Sequence, residues 1–174
     1  MTPPLPAPTA SLQFCRLTAA DAPFILQLVN EPGWLQHIGD RHIHDLAAAA
    51  AYIANGPATS HGRHGFGLDC VRLAASGEAI GLSGLLQRAT LEVPDIGYAF
   101  LQAHHGQGYA TEAARSVLQH AHQVLRMTKL YALTAPHNQA SMRVLQKVGF
   151  SLQQPDYRSE HGERSCLFVQ HFAP

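Results

Sequence analysis

The chain has 174 residues, of which 46% are hydrophobic and 14% are charged, and its 12 Lys and Arg balance its 12 Asp and Glu. This neutral balance excludes a protein whose main ligand is nucleic-acid phosphate or anionic lipid, and the apolar content excludes a disordered chain. The length fits one domain with a substantial core. The three cysteines, Cys15, Cys70 and Cys166, form no CxxC motif, which argues against a disulfide framework and favours a reducing compartment such as the cytoplasm.

The first eleven residues, MTPPLPAPTAS, contain four prolines and no charged side chain. They lack the apolar stretch of a signal peptide, and the longest uncharged apolar run in the chain, residues 46–54, is much too short to cross a bilayer. We therefore predict a disordered, proline-rich tail over residues 1–11, a single domain over residues 12–174, and no association with membranes.

Hydrophobic periodicity and turn residues predict the elements in chain order. Thr18, with Asp21 three residues later, has the spacing of a capping box at the start of the first helix. The predicted elements of the first part are a strand over 13–17, a helix over 21–30, a break at 31–34, a helix over 44–54 and a loop over 58–65. Those of the second part are strands over 66–73, 79–87 and 95–101, a helix over 109–127, a strand over 129–134, a helix over 138–148, a strand from residue 150, a loop over 155–162 and a strand over 164–172.

The order of these elements indicates the fold class. A hairpin around Ser76–Gly77–Glu78 comes before two strand–helix units, and no internal repeat or second domain is evident. This order predicts a mixed α/β (α+β) domain with a central, mostly antiparallel sheet flanked by helices.

Twelve histidines raise the question of a metal site. No two of them have the i, i+4 spacing of a zinc-binding helix, and none is combined with cysteines or carboxylates at finger-like spacing. A histidine-rich metal-binding protein is therefore disfavoured, and we expect no metal cofactor.

A strand runs directly into a turn with Gly106 and Gly108, and the turn runs directly into a helix. Glycines let a ligand approach the backbone, and the free N–H groups of a first helical turn can hold phosphate oxygens. The sequence contains neither a P-loop nor a Rossmann GxGxxG motif here, because Thr111 stands where the third glycine would be. The segment is compatible with anion binding and equally with a plain glycine turn.

Three sequence segments taken together indicate the function more specifically than the glycine turn alone. The segments IGYAF, GQGYATEA and NQASMRVLQKVGF, with their spacing, resemble the GNAT superfamily of acetyl-CoA-dependent N-acetyltransferases, and within it the RimJ/RimL ribosomal-protein N-terminal acetyltransferases. The resemblance extends over almost all of residues 13–172. It implies a sheet whose central strands splay apart, acetyl-CoA as the co-substrate, an amine as the acceptor, and the dimers that many relatives form.

The resemblance also implies which residues bind the cofactor. His105 departs from the family's pyrophosphate loop, in which Arg or Gln is usual at this position. The positions that match the pyrophosphate loop are His105, Gly106, Gln107, Gly108, Tyr109 and Ala110, with Thr111 adding a hydroxyl. Those expected beside the pantetheine arm are Tyr98, Phe100 and Leu101, and those near the thioester are Asn138 and Ser141. Asn138 is also a good helix N-cap, so both of its roles stay open.

The catalytic and acceptor residues are less well defined. Asp95 is the first choice for a general base acting through water, and Glu92 is the alternative. Many GNAT enzymes use a tyrosine on the last helix as the general acid, and because this helix has none, Ser141 or a water that it holds is expected to replace it. The residues expected to shape the acceptor pocket are Trp34, His37, Tyr157 and Arg158.

The function that follows is transfer of an acetyl group from acetyl-CoA to a primary amine, by direct attack in a ternary complex. The acceptor is a protein N-terminal α-amine or a small-molecule amine, and no nucleic acid, membrane or metal takes part. The alternative is an acyl-CoA-binding or regulatory module of the same fold that has little or no turnover.

Overall fold

The computed structural model describes residues 3–159 and 162–173. The strands are β1 Leu12–Cys15, β2 Leu68–Leu73, β3 Ala79–Leu86, β4 Asp95–Phe100, β5 Lys129–Thr134, β6 Ser151–Arg158 and β7 Arg164–His171. The α-helices are α1 Ala22–Val29, α2 Pro32–His37, α3 Leu46–Ile53, α4 Thr59–His64, α5 Tyr109–Gln123 and α6 Gln139–Lys147. None of the helices in these two ranges is long and apolar enough to span a bilayer.

The strands form one seven-stranded sheet in the order β1-β2-β3-β4-β5-β7-β6. Every neighbouring pair is antiparallel except β4 and β5, which run parallel at the centre. The predicted fold class, a mixed α/β domain around a mostly antiparallel sheet, is therefore confirmed.

Each face of the sheet is covered by helices and carries its own apolar core. On one face, α5 and α6 pack on the strands, and Val117, Leu145 and Phe168 are almost fully buried. On the other face, α1 and α3 pack around Ile25 and Cys70, which have no exposed surface. The capping box that begins the first helical segment is present as predicted, since the backbone N–H of Thr18 donates to Asp21 Oδ2 at 2.8 Å.

The predicted break at 31–34 is present, since α1 ends at Val29 and Glu31 is the N-cap of a separate helix. The sequence did not predict that helix, α2, which begins at Pro32 because proline fits the first position of a helix, where its missing N–H is not needed. One prediction between the first and second strands is wrong. Residues 58–65 were expected to form a loop, but the chain stays helical. A wide π-type turn, Ala54–Ala58, accommodates Pro57, and α4 follows until Gly65 ends it in a left-handed conformation.

The predicted loop over 155–162 is also wrong, because β6 continues to Arg158 through Pro155. A proline is tolerated in this strand for two reasons: β6 is an edge strand, and its pairing with β7 is irregular on both sides of Gln154. Residues 160 and 161 of that predicted loop lie outside the described residues.

The described part of the N-terminal segment, residues 3–11, lies against the domain, whereas its composition predicts disorder. Arg16 donates to the carbonyl of Pro3 at 2.9 Å, and Ser116 Oγ donates to the carbonyl of Ala7 at 2.6 Å. Glu112, in the first turn of α5, accepts hydrogen bonds from the side chain of Thr9 and the backbone of Ser11. A proline-rich segment is already extended, so a few such contacts suffice to hold it.

Candidate active site

The site is organised by a gap between β4 and β5. Although each strand has six residues, their pairing has only two registered positions, Asp95 with Tyr131 and Ile96 with Ala132. The carbonyl of Pro94 accepts from the N–H of Tyr131, so alternate residues of β4 direct their backbone groups towards β5. Beyond Ile96 the next such residue is Tyr98, whose backbone groups therefore face the gap, where β5 no longer pairs with them.

Two cavities open on either side of this gap. The first has a volume of about 840 Å³ and lies between β4 and the segment that runs from α2 to α4. The second has a volume of about 630 Å³ and lies between β4, the glycine turn and α6. The residues that line both cavities are Trp34, Ile38, Tyr98, Ala99, Leu133 and Ser141. A molecule in one cavity can therefore meet a molecule in the other at Tyr98 and Ser141.

The glycine turn has the geometry of an anion site. Gly106 and Gly108 have φ angles of +74° and +83°, and no atom lies within 4 Å of where a side chain on either of them would begin. Gly108 is the N-cap of α5, and the first intrahelical bond runs from Glu112 N–H to its carbonyl. The N–H groups of Tyr109, Ala110 and Thr111 therefore have no partner within the helix, and the positive end of the helix dipole lies behind them.

Most of the predicted pyrophosphate residues line this second cavity, among them Gly106, Gly108 and Thr111, while Gln107 does not. His105, at the position where the family has Arg or Gln, donates from Nε2 to the carbonyl of Phe100 at 2.8 Å. This bond joins the end of β4 to the start of the turn, so His105 braces the loop. Arg143 and Lys147, which sequence analysis missed, line the same cavity from α6 and bring positive charge to it.

Tyr98 and Ser141 are joined directly. Tyr98 Oη lies 3.0 Å from Ser141 Oγ and 3.1 Å from the Ser141 carbonyl oxygen. Burial raises the pKa of Tyr98 to about 12, with the hydrogen bond to Ser141 acting in the opposite direction. Asn138 caps α6 by accepting from the Ser141 N–H at 3.1 Å, which holds Ser141 beside Tyr98.

The two predicted base candidates are in different environments. Asp95 is buried, lines the first cavity and accepts from Arg88 Nε at 2.9 and 3.0 Å. Glu92 lines neither cavity; its exposed carboxylate accepts from Lys129 and from Tyr131 Oη, and its pKa is lowered, chiefly by the hydrogen bond from Lys129. The geometry therefore keeps Asp95 in the site and separates Glu92 from it.

Three of the predicted contact residues lie elsewhere. Leu101 is buried in the core between the sheet and α1, away from both cavities. Tyr157 packs beside Leu91 on the far part of β6, and Arg158 donates to the carbonyl of Gly162. Both were placed in the acceptor pocket because residues 155–162 were expected to form a loop, and the extension of β6 takes them away from it.

The other two predicted acceptor residues do line a cavity. Trp34 lines both, and His37 lines the second and stacks at an angle on His137, with ring centroids 5.0 Å apart. Burial lowers the pKa of His37, and the nearby His137 acts in the same direction. Trp34 Nε1 and His37 Nδ1 are buried without a hydrogen-bond partner among the described residues.

A group that could hold a metal ion is present after α2. The ligand atoms of Asp40, His42 and His44 all lie within 4.8 Å of one another, and all three side chains are exposed. The histidine spacings tested in the sequence missed this group, because it uses a loop and not a helix face. That the protein works without a metal remains a prediction, which stoichiometric zinc in protein purified without a tag would contradict.

A sheet splayed between two parallel central strands, with a glycine turn at a helix N-terminus beside the gap, is the arrangement of the GNAT fold. The chain belongs to the acetyltransferase (GNAT) domain family, which matches residues 11–151.

Comparison with individual proteins agrees with this family. The chain is 40% identical over 79 residues to the "Probable N-acetyltransferase YjcK" of Bacillus subtilis, a match that covers 44% of each protein. It is similar in structure to an acetyltransferase from Agrobacterium tumefaciens, with a TM-score of 0.81, 23% identity and coverage of 95% of this chain and 94% of that one. It is also similar to RimL, a ribosomal L7/L12 α-N-protein acetyltransferase in complex with coenzyme A, with a TM-score of 0.78, 16% identity and coverage of 97% and 98%. The matches to the curated relatives span less than half of those proteins' lengths.

Proposed function

We propose that the protein transfers the acetyl group of acetyl-CoA to a primary amine, with acetyl-CoA in the second cavity and the amine in the first. The observation that carries this proposal is that the two cavities meet at Tyr98 and Ser141, beside the gap between β4 and β5. Direct transfer in a ternary complex needs two substrates that reach one point from different sides. The assignment to the RimJ/RimL-like branch and a location in the cytoplasm are part of this proposal.

Binding of acetyl-CoA would use the glycine turn. The pyrophosphate would accept from the free N–H groups of Tyr109, Ala110 and Thr111, and Arg143 and Lys147 would contribute positive charge. The pantetheine arm would lie in the gap and pair with the backbone of Tyr98 in place of β5. This explains how a chain of zero net charge could hold a polyanion, since the site uses backbone groups and a local pair of cations.

The amine must lose its proton before it can attack. A peptide α-amine with a pKa near 7.8 is neutral in about one molecule in seven at pH 7, whereas a lysine side chain is neutral in about one in 2,500. An N-terminal α-amine therefore depends little on a general base. Asp95, which lines the same cavity, would accept the proton through a water molecule, and its ion pair with Arg88 would hold the carboxylate in place.

The transfer step would form a bond between the amine nitrogen and the carbonyl carbon and then break the bond to sulfur, while the nitrogen releases its second proton to water. The backbone N–H of Tyr98 would donate to the carbonyl oxygen as negative charge develops on it. The sulfur would leave as a thiolate, with Ser141 Oγ and Tyr98 Oη as the nearest donors. A phenol whose pKa is about 12 is a weaker acid than a thiol near 8.5, so Tyr98 would stabilise the thiolate by a hydrogen bond and would not release its proton.

The experiment that tests this function is a screen for release of CoA thiol from acetyl-CoA in the presence of amines. The acceptors are peptides with different first residues and a set of small amines, and mass spectrometry identifies the acetylated product. We expect release that depends on both protein and amine. Binding of acetyl-CoA without amine-dependent release would contradict the proposal and favour the alternative, an acyl-CoA-binding or regulatory module.

A further inference from the structure

The first cavity, on the acceptor side, is strongly basic. Three arginines line it, Arg41, Arg63 and Arg88, and Asp95 is the single acid among the described residues of its lining. Because the whole chain has a net charge of zero, this excess of two positive charges is a local concentration. We call the part of the lining formed by Arg41, Arg63 and Arg88 the arginine wall. The imidazoles of His42 and His64 add further donors to it.

The arginines come from three different parts of the fold. Arg41 lies in the segment between α2 and α3, Arg63 lies in α4, and Arg88 follows β3. Convergence from three separate elements distinguishes this wall from a run of charge on a single exposed helix face. It also explains why the sequence does not show it, since no two of these residues are neighbours in the chain.

Two of the three arginines have no partner of their own. Arg88 is bound to Asp95, which neutralises both. Arg41 and Arg63 are exposed and form no ion pair or hydrogen bond with any residue in the described ranges. Arg41 lies close enough to Tyr52 that its charge favours the phenolate, although burial is the larger influence and raises the pKa of Tyr52.

Acidic side chains near this wall do not cancel its charge. Asp40 contacts His42 and His44 at 3.6 and 3.9 Å and does not line the cavity. Glu163 lies near Gly39 and does not line the cavity either. Among the described residues of the cavity lining, Asp95 is thus the one carboxylate, and it is paired with Arg88.

A guanidinium group binds carboxylate and phosphate with two parallel hydrogen bonds, and it repels a second cation. We propose that the acceptor is an amine that also carries a carboxylate or phosphate group, which Arg41 and Arg63 bind while the amine reaches Tyr98 and Ser141. This inference rests on the proposed function. Polycationic acceptors such as polyamines are then poor substrates, because the wall repels their remaining charges.

The test compares acceptors that share one α-amine and differ in the charge of one side chain. Glycyl-aspartate amide is set against glycyl-asparagine amide, glycyl-phosphoserine amide against glycyl-serine amide, and glycyl-lysine amide supplies the cationic case. The α-amine is nearly the same in all of them, so differences in its neutral fraction are small. We expect kcat/KM to be about ten-fold or more higher for the anionic member of at least one pair, and this preference to shrink at high salt. The pair that shows the larger ratio distinguishes carboxylate from phosphate.

Two variants and one matched control test the wall itself. Arg41→Gln and Arg63→Gln should each lower kcat/KM for the anionic acceptor several-fold. The value of kcat/KM for the neutral acceptor should change little. Arg115→Gln, at an exposed arginine of α5 that lines neither cavity, should leave the ratio of kcat/KM between the anionic and neutral acceptors unaltered. Affinity for acetyl-CoA, measured for each variant, shows that the protein is folded.

The outcomes distinguish a wrong acceptor from the absence of acetyl transfer. If neutral or cationic acceptors are acetylated with the same kcat/KM as the anionic ones, the inference about the acceptor is wrong, while the proposed acetyl transfer is unaffected. The inference is equally wrong if the arginine variants keep the anionic preference of the unsubstituted protein. If acetyl-CoA binds and none of these amines or those of the wider screen releases CoA, the proposed function itself fails.

Discussion

Tyr98 Oη lies 3.0 Å from Ser141 Oγ, and this contact links the end of β4 to the first turn of α6 across the gap in the sheet. It places two hydroxyl groups at the point where both cavities meet. The last helix has no tyrosine, and the phenol at this point comes from the central strand. In the proposed transfer, the pair would therefore offer hydrogen-bond donors to the leaving sulfur without a strong acid.

The Tyr98→Phe variant tests this pair, because it removes the hydroxyl and keeps the ring that packs against the core. We expect kcat to fall by about ten-fold to a hundred-fold, the range of one lost transition-state hydrogen bond, with KM for acetyl-CoA changed less than about three-fold. Steady-state kinetics with one good acceptor measure both values. Ser141→Ala should have a similar effect, and the double variant should lose less than the product of the two.

The pH dependence of the same step gives a further check. Because burial raises the pKa of Tyr98 to about 12, the phenol should remain neutral through the working range, and no decline of kcat below pH 10 should come from it. A decline below pH 10 that disappears in Tyr98→Phe would show that the phenol titrates in the working range, contrary to this expectation.

Gly108→Asp tests the anion site at the start of α5. The substitution forces a side chain onto a residue with a φ of +83° and puts a negative charge beside the free N–H groups. We expect the affinity for acetyl-CoA, measured by calorimetry, to fall by about a hundred-fold or more. Gly108→Ala is the matched control, since it has the same backbone strain without the charge, and it should lose much less. Unchanged affinity in Gly108→Asp would exclude this turn as the pyrophosphate site.

Asp95→Asn tests the proposed base and its ion pair with Arg88. The loss of activity at pH 7 should be larger for an acceptor amine of high pKa than for a peptide α-amine, because the first depends more on a base. The free energy of unfolding should fall by about 1–3 kcal/mol, since the variant leaves the partly exposed Arg88 without its carboxylate. Urea denaturation measures this loss.

Glu92→Gln is the matched control for Asp95→Asn. Its carboxylate is exposed and lines neither cavity, so turnover with both acceptors should be unchanged. If instead Glu92→Gln lost activity and Asp95→Asn did not, Asp95 could not be the base.

His120 predicts how stability depends on pH. Burial lowers its pKa below the usual value of 6.5; the charge of Asp69 opposes this shift, and the charge of Arg16 adds to it. Below about pH 6.5 the unfolded chain binds a proton that the folded chain resists, so the free energy of unfolding should fall as the pH falls from there. The lowered pKa of His37 acts in the same direction.

The His120→Gln variant removes this titration and keeps a polar side chain of similar size. Its Tm should decline less than that of the unsubstituted protein between pH 7 and pH 5, measured by thermal denaturation. His171→Gln, at an exposed histidine near the end of β7, should leave the decline unaltered. Identical declines in all three proteins would show that His120 does not govern the acid response.

Features set by neighbouring residues could be predicted from the sequence. The capping box at Thr18 and the N-cap at Asn138 depend on residues three apart, and the start of α5 depends on Gly108. The order of strands and helices, and with it the fold class, follows from periodicity that is visible in short windows. The glycine turn was therefore located correctly, with its φ angles and open surroundings added by the structure.

Other features depend on contacts between residues that are distant in sequence, and only the tertiary structure determined these. Pro57 and Pro155 signal loops locally, but a wide helical turn and an edge strand accommodate them, because packing against the rest of the domain outweighs the local preference. That change removed Tyr157 from the acceptor pocket. The contact between Tyr98 and Ser141 joins residues 43 positions apart, and the arginine wall gathers residues from three elements. Such groupings depend on how the strands pair and the helices cross, so the sequence by itself located the glycine turn at the start of α5, and only the folded chain brought the lining of the first cavity together.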